Sequence, residues 1–283
     1  MSGYPSLRPG QAAYPALLAA IYDPPKRLYL RGSRPELLAG PCVAIVGARA
    51  CSAYGAQVAR SLGRALAAAG AVVVSGLARG VDGEAHRGAL EASGATVAVL
   101  GCGIDRDYPA AHADLARRIC DHGLVVSEYE AGVEPAPWRF PARNRIIAGL
   151  CRATVVVEAR ERSGALITAD FALEEGRDVL AVPGEITSAL SAGTNALLRL
   201  GAVPVTCAGD VLELFDLEPR QAPAAALDPV AAALLERLLD QPLTADELVR
   251  AAGVDPGRGS AALVELELAG KVTLEEGVYR VAV

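Results

Sequence analysis

The feature that most constrains the fold is a regular alternation, between residues 41 and 216, of short β-branched runs with longer stretches rich in Ala, Leu and Arg. Runs that are apolar throughout are typical of parallel strands buried on both faces, and the stretches between them have helical composition. We therefore expect a doubly wound α/β domain whose binding crevice lies beyond the carboxyl ends of the strands. The predicted strands are Val43–Val46, Val72–Val74, Thr96–Leu100, Leu124–Ser127, Thr154–Glu158, Val179–Val182 and Pro204–Thr206.

A second, smaller domain is expected after a linker. Residues 218–226 contain two Pro and small residues without periodicity, which is typical of a linker. Beyond it, Asp228 begins one helical pattern, and Thr244 with Glu247 three residues later forms the capping-box pattern of a second. A third helical stretch and two β-branched runs follow. Three helices and a hairpin within residues 227–283 predict a winged helix-turn-helix.

The remaining features indicate one main domain without a membrane or metal element. Residues 1–40 have Pro-rich turns and scattered apolar anchors, so we interpret them as a packed lead-in to the main domain, residues 41–217. No apolar run approaches the roughly 20 residues that span a bilayer, and no signal pattern begins the chain, which predicts a cytoplasmic protein. The six Cys never form C-x-x-C, so neither a zinc site nor a disulfide framework is expected.

Charge is distributed unevenly along the chain. The net charge is −6 and the pI is about 5.2, which argues against a protein that coats nucleic acid indiscriminately. From residue 227 onward, five basic residues stand against ten acidic ones, a balance of −5. Residues 139–162 hold six Arg and two Glu, a balance of +4. A localised basic site in the main domain is therefore the expected place for an anionic partner.

The turn after the first predicted strand favours phosphate binding. It contains Gly47, Ala48 and Arg49, with Ser52 shortly after and an Ala-rich helix behind. A glycine here lets backbone amides and the helix N-terminus face an anion. No G-x-G-x-x-G is present, and Arg49 is bulky where the pyrophosphate of a dinucleotide would approach. The alternative is a tight turn in which Arg49 is merely solvated.

Two further strand-to-helix junctions carry small residues. At the second, Gly76 and Arg79 precede Asp82 and His86, whose spacing would also suit an acid–base pair on one helix face. We favour Asp82 as a helix N-cap and His86 as a buried imidazole, because the chain has only three His and no nucleophile signature. The third junction, residues 101–109, is an incomplete cofactor fingerprint and is interpreted as loop geometry.

Residues 138–147 mix cations and aromatic rings more densely than any other stretch. This combination suits single-stranded nucleic acid, because Arg neutralises phosphate and unpaired bases stack on aromatic faces at about 1–3 kcal/mol each. The alternative is that Arg143 and Arg145 pair with Glu158 or Asp170 while the aromatic residues lie in the core. The candidates within this stretch are Phe140, Arg143, Asn144 and Arg145.

Another turn with unpaired backbone donors is expected after the fifth predicted strand. There Ser163 and Gly164 open a helix that carries Thr168. Several such turns share one edge of the predicted sheet. A single phosphate needs only one of them, so the number of turns favours a chain of phosphates.

These motifs together resemble the DNA-processing protein A family (DprA, also called Smf). The resemblance covers roughly residues 42–202, in order. It is carried by the stretches VAIVGAR, SGLARGVDGEAH, VLGCGIDRDYP, FPARNRIIAGL, VVVEARERSGALITADFALEEGRDVLAVPG and SAGTNALLRLGA. The resemblance implies an extended Rossmann-like domain with a mostly parallel sheet, followed by a small winged-helix domain. A sterile-alpha-motif-like domain often precedes them, and the lead-in is short enough that this part is expected to be partial or absent.

The resemblance also implies a function. It indicates a non-enzymatic, single-stranded DNA-binding protein without cofactor or metal, which dimerises through the Rossmann-like domain. Such a protein protects incoming DNA and loads a RecA-type recombinase during natural transformation. The family's strand-binding motifs fall on Gly47, Ala48 and Arg49, and on Phe140, Pro141, Arg143, Asn144 and Arg145.

Two other functions remain open on the residues. A nucleotide-processing enzyme of phosphoribohydrolase type has a related architecture but carries P-G-G-x-G-T-x-x-E, whereas Pro183 and Gly184 here run into Glu185. The second alternative is a winged helix that reads duplex DNA. The −5 balance of residues 227–283 disfavours it, because a polyanion would be repelled, and favours a protein contact.

Overall fold

The computed structural model describes residues 3–218, 228–268, 271–275 and 277–281. The chain forms two compact units with the boundary between residues 220 and 221. The predicted linker, residues 218–226, lies outside the described residues except for Glu218. Within the described part of the chain, no helix is both long and apolar enough to cross a membrane.

Nine strands form one sheet in the first unit. They are β1 (Ser6–Leu7), β2 (Leu28–Gly32), β3 (Cys42–Val46), β4 (Val72–Ser75), β5 (Thr96–Leu100), β6 (Leu124–Ser127), β7 (Ala153–Val156), β8 (Asp178–Ala181) and β9 (Val203–Pro204). Their order is β1-β2-β6-β5-β4-β3-β7-β8-β9, and strands β3 to β9 run parallel. From β3 the chain builds outward to β6 and then returns to the other side of β3 for β7. The strand order therefore reverses between β3 and β7, where an open α/β sheet forms its binding crevice.

Helices cover both faces of this sheet. They are α1 (Ala16–Ala19), α2 (Ala53–Ala68), α3 (Val81–Glu91), α4 (Ala113–His122), α5 (Arg139–Leu150), α6 (Gly164–Glu174), α7 (Ala192–Arg199) and α8 (Gly209–Leu212). Along β3, Ala44 and Val46 pack into the core beneath α5 and α6, while Val43 and Ile45 pack into the core beneath α2 and α3. Successive side chains of a strand point to opposite faces, so this strand must be apolar at every position. The expected doubly wound, extended Rossmann-like fold is confirmed.

Part of the N-terminal lead-in belongs to the sheet, which the sequence pattern did not predict. Strand β2 pairs antiparallel with β6, with Tyr29 opposite Ser127, and β1 pairs antiparallel with β2. Leu28 and Leu30 of β2 are buried in the core. The apolar run of β2 is too short to be distinguished from a loop by its pattern, and its partner lies about one hundred residues away. The pairing is therefore a tertiary feature rather than a local one.

The second unit has the winged-helix arrangement that the sequence predicts. Its elements are α9 (Pro229–Asp240), β10 (Leu243–Thr244), α10 (Ala245–Ala252), α11 (Pro256–Leu268), β11 (Val272–Glu275) and β12 (Val278–Val281). The three strands form a sheet in the order β10-β12-β11. The predicted capping box is present: the Thr244 hydroxyl accepts from the Glu247 amide at 3.4 Å, and the Glu247 carboxylate accepts from the Thr244 amide at 2.9 Å. Leu234, Leu248 and Leu263 form the centre of its core.

His86 of α3 is fully buried and neutral. The Thr96 hydroxyl donates to the Val73 carbonyl at 2.7 Å, so it accepts from the His86 Nδ1–H, also at 2.7 Å. The Nε2 atom is buried and has no hydrogen-bond partner among the described residues. Burial, with a smaller contribution from the nearby charges of His112 and Arg143, lowers the pKa of His86 to about 3. A proton on Nε2 would place a charged N–H group in the core without an acceptor.

The free energy of unfolding is expected to decrease as the pH is lowered, and His86 accounts for part of this decrease. Below pH of about 6.5, the unfolded chain binds a proton that the folded protein excludes. The free energy of unfolding should therefore decrease by about 1.4 kcal/mol per pH unit between roughly pH 6 and the folded-state pKa of about 3. Urea denaturation across this range measures the slope. His86→Asn keeps an N–H donor for Thr96 but does not titrate, so its slope should be smaller by that amount; equal slopes would contradict the assignment.

Candidate nucleic-acid interface

Two adjacent cavities, of about 330 and 480 Å³, open at the carboxyl ends of β3, β4, β5 and β7. They share the lining residues Arg49, Ala78, Phe140 and Arg143, and we call them together the central cleft. The cleft lies where the strand order reverses. It brings together most of the residues that the sequence singles out: Gly47, Arg49, Gly76, Arg79, Phe140, Arg143, Asn144, Ser163, Gly164 and Thr168.

Arg49 is an exposed cation on a turn that the fold holds in place. The Ala48 amide donates to the Glu158 carbonyl at 2.7 Å, and the Ala48 carbonyl accepts from the Val81 amide at 3.2 Å. Ala48 thus anchors the turn and does not line the cleft. Gly80 has a φ of +71°, and a Cβ there would lie 2.3 Å from the Ala48 carbonyl oxygen, so the two turns can meet only at a glycine. Arg49 has no ion-pair partner among the described residues.

Arg143 is a buried cation that forms the floor of both cavities. Only 4% of the residue is exposed. Its Nη1 donates to the Gly76 carbonyl at 2.7 Å and to the Val99 carbonyl, so the guanidinium is held by the ends of β4 and β5. Burial lowers the pKa of Arg143 to about 10, with the nearby Asp82 opposing the shift. The group therefore stays charged at neutral pH, and the proposed pairing with Glu158 or Asp170 is not what the structure shows.

Asp82 shapes the second turn from within α3. The N-cap of this helix is Gly80, so the prediction that Asp82 is the N-cap is wrong. The Asp82 carboxylate instead accepts from the Gly76 amide at 3.2 Å and the Ala78 amide at 3.3 Å. Burial raises the pKa of Asp82, while the Arg143 charge and these two amides act in the opposite direction. The carboxylate is thus occupied in holding the Gly76 turn.

An aromatic surface borders the cleft. The Phe140 and Tyr108 rings are stacked, with centroids 5.2 Å apart and planes inclined by 25°. The Arg49 guanidinium lies over the Phe140 ring, 5.5 Å from its centroid. Tyr108 is 44% exposed and lines the larger cavity. A planar cation and two rings side by side form a surface on which an unpaired base can stack.

The N-terminus of α6 closes the other side of the cleft. Ser163 is the N-cap and its hydroxyl accepts from the Ala165 amide at 3.3 Å, while Gly164 is exposed. The first turn of this helix contains no acidic residue, so its unpaired amides and dipole favour an anion. Asn144 ties α5 to this turn, because its Nδ2 donates to the Gly164 carbonyl at 3.0 Å. Thr168 is buried on the next turn of α6.

The corresponding site at the N-terminus of α2 is already filled. Ser52 caps this helix by accepting from the Gly55 amide, but its own amide and hydroxyl both donate to the Glu158 carboxylate, at 2.9 and 2.5 Å. A Cβ on Gly55 would lie 2.3 Å from a Glu158 oxygen, so glycine makes room for the carboxylate. The structure therefore places Ser52 outside the central cleft. The Glu158 carboxylate occupies the N-terminus of α2, where the sequence predicts a bound phosphate.

Arg145 is also directed away from the cleft. Its guanidinium makes a two-pronged ion pair with Glu128, at 2.8 and 2.7 Å, and a further bond of 3.0 Å to the Asp23 carboxylate. These contacts join α5 to the lead-in and to the segment after β6. The positive charge that the sequence assigned to the strand is thus neutralised internally, because residues 143 and 145 of a helix point to different sides.

Tyr108 is the residue that sequence reasoning overlooked. The sequence pattern predicts only loop geometry for the 101–109 junction, whereas Gly101, Tyr108 and Pro109 all line the larger cavity. The available signal was an aromatic residue beside a proline in the loop that follows the parallel strand β5. Its contact with Phe140, however, joins two segments about thirty residues apart.

Within the part of the chain that the structure describes, no group of three or more His, Cys, Asp or Glu side chains is arranged to hold a metal ion. The three imidazoles bond to Thr96, to the Leu77 carbonyl and to the Arg118 carbonyl. None of these imidazoles lines the central cleft. The described residues that line the cleft therefore offer cations, backbone amides and aromatic rings to a ligand, together with the Asp82 carboxylate, which already accepts from two backbone amides.

Comparison with known proteins places the chain among DNA-processing proteins. The family model of DNA recombination-mediator protein A matches residues 6–216, and that of the DprA winged helix domain matches residues 218–277. A DprA of Mycobacterium tuberculosis strain H37Rv is 45% identical over 262 residues, which cover 88% of this chain and 66% of that protein.

Two solved structures resemble the chain closely. DNA processing protein A of Streptococcus pneumoniae has a TM-score of 0.72 and 46% identity, over 77% of this chain and 76% of that one. DNA processing protein A of Helicobacter pylori has a TM-score of 0.68 and 32% identity, over 77% of this chain and 100% of that one. The structure of the H. pylori protein concerns its single-stranded DNA binding mode.

Proposed function

The chain belongs to the DNA recombination-mediator protein A family, and on that premise we propose that its central cleft binds single-stranded DNA. The observation that carries the proposal is the cleft itself: Arg49, Arg79 and Arg143 line it together with the α6 N-terminus and the Tyr108–Phe140 stack. Cations and amides suit phosphate, and the rings suit bases. The H. pylori relative, which is described as binding single-stranded DNA, supports the same ligand.

The shape of the cleft favours an unpaired strand over a duplex. Cavities of about 330 and 480 Å³ are of the size that accepts individual small ligands, and a base can enter them only when it is not paired. Titration of labelled oligonucleotides against blunt duplex of the same sequence, at several salt concentrations, tests the proposal. Affinity for the single strand should fall with a slope of about −0.7 per phosphate contacted. Equal or tighter binding of the duplex would refute it.

Replacing Phe140 by Ala should weaken strand binding without changing its salt dependence. The ring carries no charge, yet it provides stacking surface beneath Arg49 and beside Tyr108. The expected loss is about 1–2 kcal/mol, or roughly tenfold in affinity, with the slope against salt unchanged. Fluorescence anisotropy at three salt concentrations measures both quantities. A reduced slope in Phe140→Ala would show that the ring acts by positioning Arg49 rather than by stacking.

We also propose that the protein loads a RecA-type recombinase onto the bound strand. In this proposal it acts during natural transformation, when it also protects the incoming DNA. The family description as a recombination mediator supports this step. Such an activity belongs in the cytoplasm, where the recombinase acts. The test is recombinase filament formation on a strand precoated with single-strand-binding protein, followed by the recombinase's ATP hydrolysis. Addition of this protein should shorten the lag; no change in the lag would contradict the proposal.

Binding rather than catalysis is proposed for the central cleft, with no cofactor. The Asp82 carboxylate lines the smaller cavity but already accepts from two backbone amides, and His86 is fully buried and does not line the cleft. Recovery of an unaltered oligonucleotide after prolonged incubation, and of unaltered nucleoside monophosphate, tests this point. Release of free base would favour the phosphoribohydrolase alternative.

A homodimer is proposed at the β9 end of the sheet. Leu173 at the end of α6, Leu200 just after α7 and Val203 in β9 are 56%, 84% and 45% exposed. Exposed apolar side chains on neighbouring elements at a sheet edge are typical of a subunit contact. Leu200→Glu should weaken the dimer by about 2 kcal/mol, roughly 30-fold, in analytical ultracentrifugation. The matched control is Leu239→Glu, an exposed leucine of α9 in the second unit; an equal effect of both changes would contradict the assignment.

A further inference from the structure

A third cavity, of about 470 Å³, lies on the same edge of the sheet as the central cleft. We call it the β7–β8 cavity, because residues 160–162 follow β7 and residues 186–189 follow β8, and Ala192 at the start of α7 completes its wall. It shares no lining residue with the central cleft. However, Arg162 of this cavity and Ser163 of the central cleft are consecutive in the chain, so the two linings adjoin at this point of the backbone.

Backbone hydrogen bonds next to the β7–β8 cavity hold together the two segments that line it. The Ala159 amide donates to the Leu190 carbonyl at 2.8 Å, and the Gly193 amide donates to the Ala159 carbonyl at 2.8 Å. A Cβ on Gly193 would lie 2.7 Å from the Ala159 carbonyl oxygen, so the two segments meet this closely only because residue 193 is glycine. The turn next to it is closed as well, because Asn195 bonds to both the amide and the carbonyl of Gly184.

The charges of this cavity favour a phosphate-bearing ligand. Arg160 and Arg162 are exposed, and neither guanidinium has an ion-pair or hydrogen-bond partner among the described residues. Glu161 also lines the cavity, so two cations stand against one carboxylate. The protein as a whole has a net charge of −6, so this local excess of positive charge is opposite in sign to that of the whole chain. Ile186 is 96% exposed at the rim and offers apolar contact for the face of a base.

We propose that the β7–β8 cavity is an additional subsite for the strand that occupies the central cleft. This inference rests on the proposed function, since it extends the same ligand along the same sheet edge. A strand leaving the cleft past Ser163 and Gly164 meets Arg162 and then Arg160. Phosphates there contact the two guanidinium groups, and a base lies against Ile186. Strand length then determines affinity: an oligonucleotide that only fills the cleft does not reach Arg160.

The test compares two oligonucleotide lengths with a paired variant. Oligo-dT of about 6 and about 25 nucleotides is titrated with the parent chain and with Arg160→Ala/Arg162→Ala, at several salt concentrations. The double variant should bind the long strand at least tenfold more weakly near 0.1 M salt, with a salt slope smaller by about 1.4. Its affinity for the short strand should equal that of the parent. Arg160→Lys/Arg162→Lys should retain the parent slope, because the charge is kept.

The matched control is Arg64→Ala/Arg118→Ala. Both arginines are exposed, lie in the C-terminal halves of α2 and α4 and have no ion-pair or side-chain hydrogen-bond partner among the described residues. The change in net charge is the same as in the test variant, and binding of both strands should equal that of the parent.

The possible outcomes separate the two proposals. A parent chain that binds neither strand refutes the proposed function itself. If the parent binds and Arg160→Ala/Arg162→Ala matches it on both lengths, the subsite is refuted alone. Equal losses on both lengths, or equal losses in the control, would also refute it, because the two arginines would then act on the central cleft or through net charge.

Discussion

Arg49→Ala is expected to lower the affinity for an unpaired oligonucleotide by about ten- to one-hundredfold, whatever its sequence. Loss of a hydrogen bond between a cation and a phosphate costs about 1.5–3 kcal/mol, and each 1.4 kcal/mol is tenfold. The side chain is exposed and its one described contact is with the Phe140 ring, so the fold should be unaffected. Loss of one phosphate contact should also reduce the salt slope by about 0.7.

The design of this experiment separates charge from shape. Arg49→Lys keeps the charge and should restore the salt slope, but it lacks the planar group that lies over Phe140 and should recover only part of the affinity. Arg118→Ala removes an exposed cation from α4 and should bind as the parent does. An Arg49→Ala protein whose salt slope equals that of the parent would show that Arg49 does not contact phosphate.

Arg143→Ala is expected to destabilise the protein as well as weaken binding. The buried guanidinium holds the carbonyls of Gly76 and Val99 and offsets the charge of the buried Asp82 carboxylate. Its removal leaves two buried carbonyls without their donor and the buried Asp82 carboxylate without a nearby positive charge, and such changes cost about 3–5 kcal/mol of unfolding free energy. Urea denaturation measures this loss. The folded fraction of Arg143→Ala should bind the strand more weakly than the parent protein does, because the floor of the cleft has lost its cation.

A second variant tests whether the charge of Asp82 accounts for the loss of stability in Arg143→Ala. Asp82→Asn keeps an oxygen that can accept from the Gly76 and Ala78 amides but removes the negative charge. In the Arg143→Ala/Asp82→Asn protein, part of the lost stability should return, so that the two changes are not additive. Strict additivity in the double-mutant cycle would mean that the arginine stabilises the fold only through the two carbonyls and its packing.

The contrast between Arg49 and Arg143 follows from their positions. Arg49 stands on a turn and meets solvent, so its charge is available to a ligand but contributes little to stability. Arg143 lies on the inner face of α5, and its charge reaches the ligand as a field from beneath the cleft. Binding assays alone would not distinguish these roles. The comparison of unfolding free energies does.

An internal carboxylate determines which helix N-terminus is available to a ligand. Glu158 accepts from the amide and the hydroxyl of Ser52 and so satisfies the start of α2. The start of α6 has no such partner in its first turn and lines the cleft. Both helices follow a parallel strand at the same sheet edge and appear equivalent in sequence. Only the position of one side chain separates them.

The amino-acid sequence by itself determined the α/β alternation, the position of each parallel strand to within a few residues and the winged-helix unit with its capping box at Thr244. These properties depend on apolar periodicity, turn residues and short-range caps, which are local. It also pointed to the turn at Arg49 and to Phe140 and Arg143, because cations and aromatic rings cluster there.

Only the tertiary structure decided which of these residues share a site. In the folded chain, Arg145 forms ion pairs with Glu128 and Asp23. Ser52 donates a hydrogen bond to Glu158, and the Tyr108 ring stacks on the Phe140 ring. Pairing with β6 also adds β2 to the sheet. Each of these contacts joins segments that are distant in the chain, and the partner of a charge or ring is set by which strands lie side by side. The order of the strands in the sheet cannot be read from the composition of any single segment.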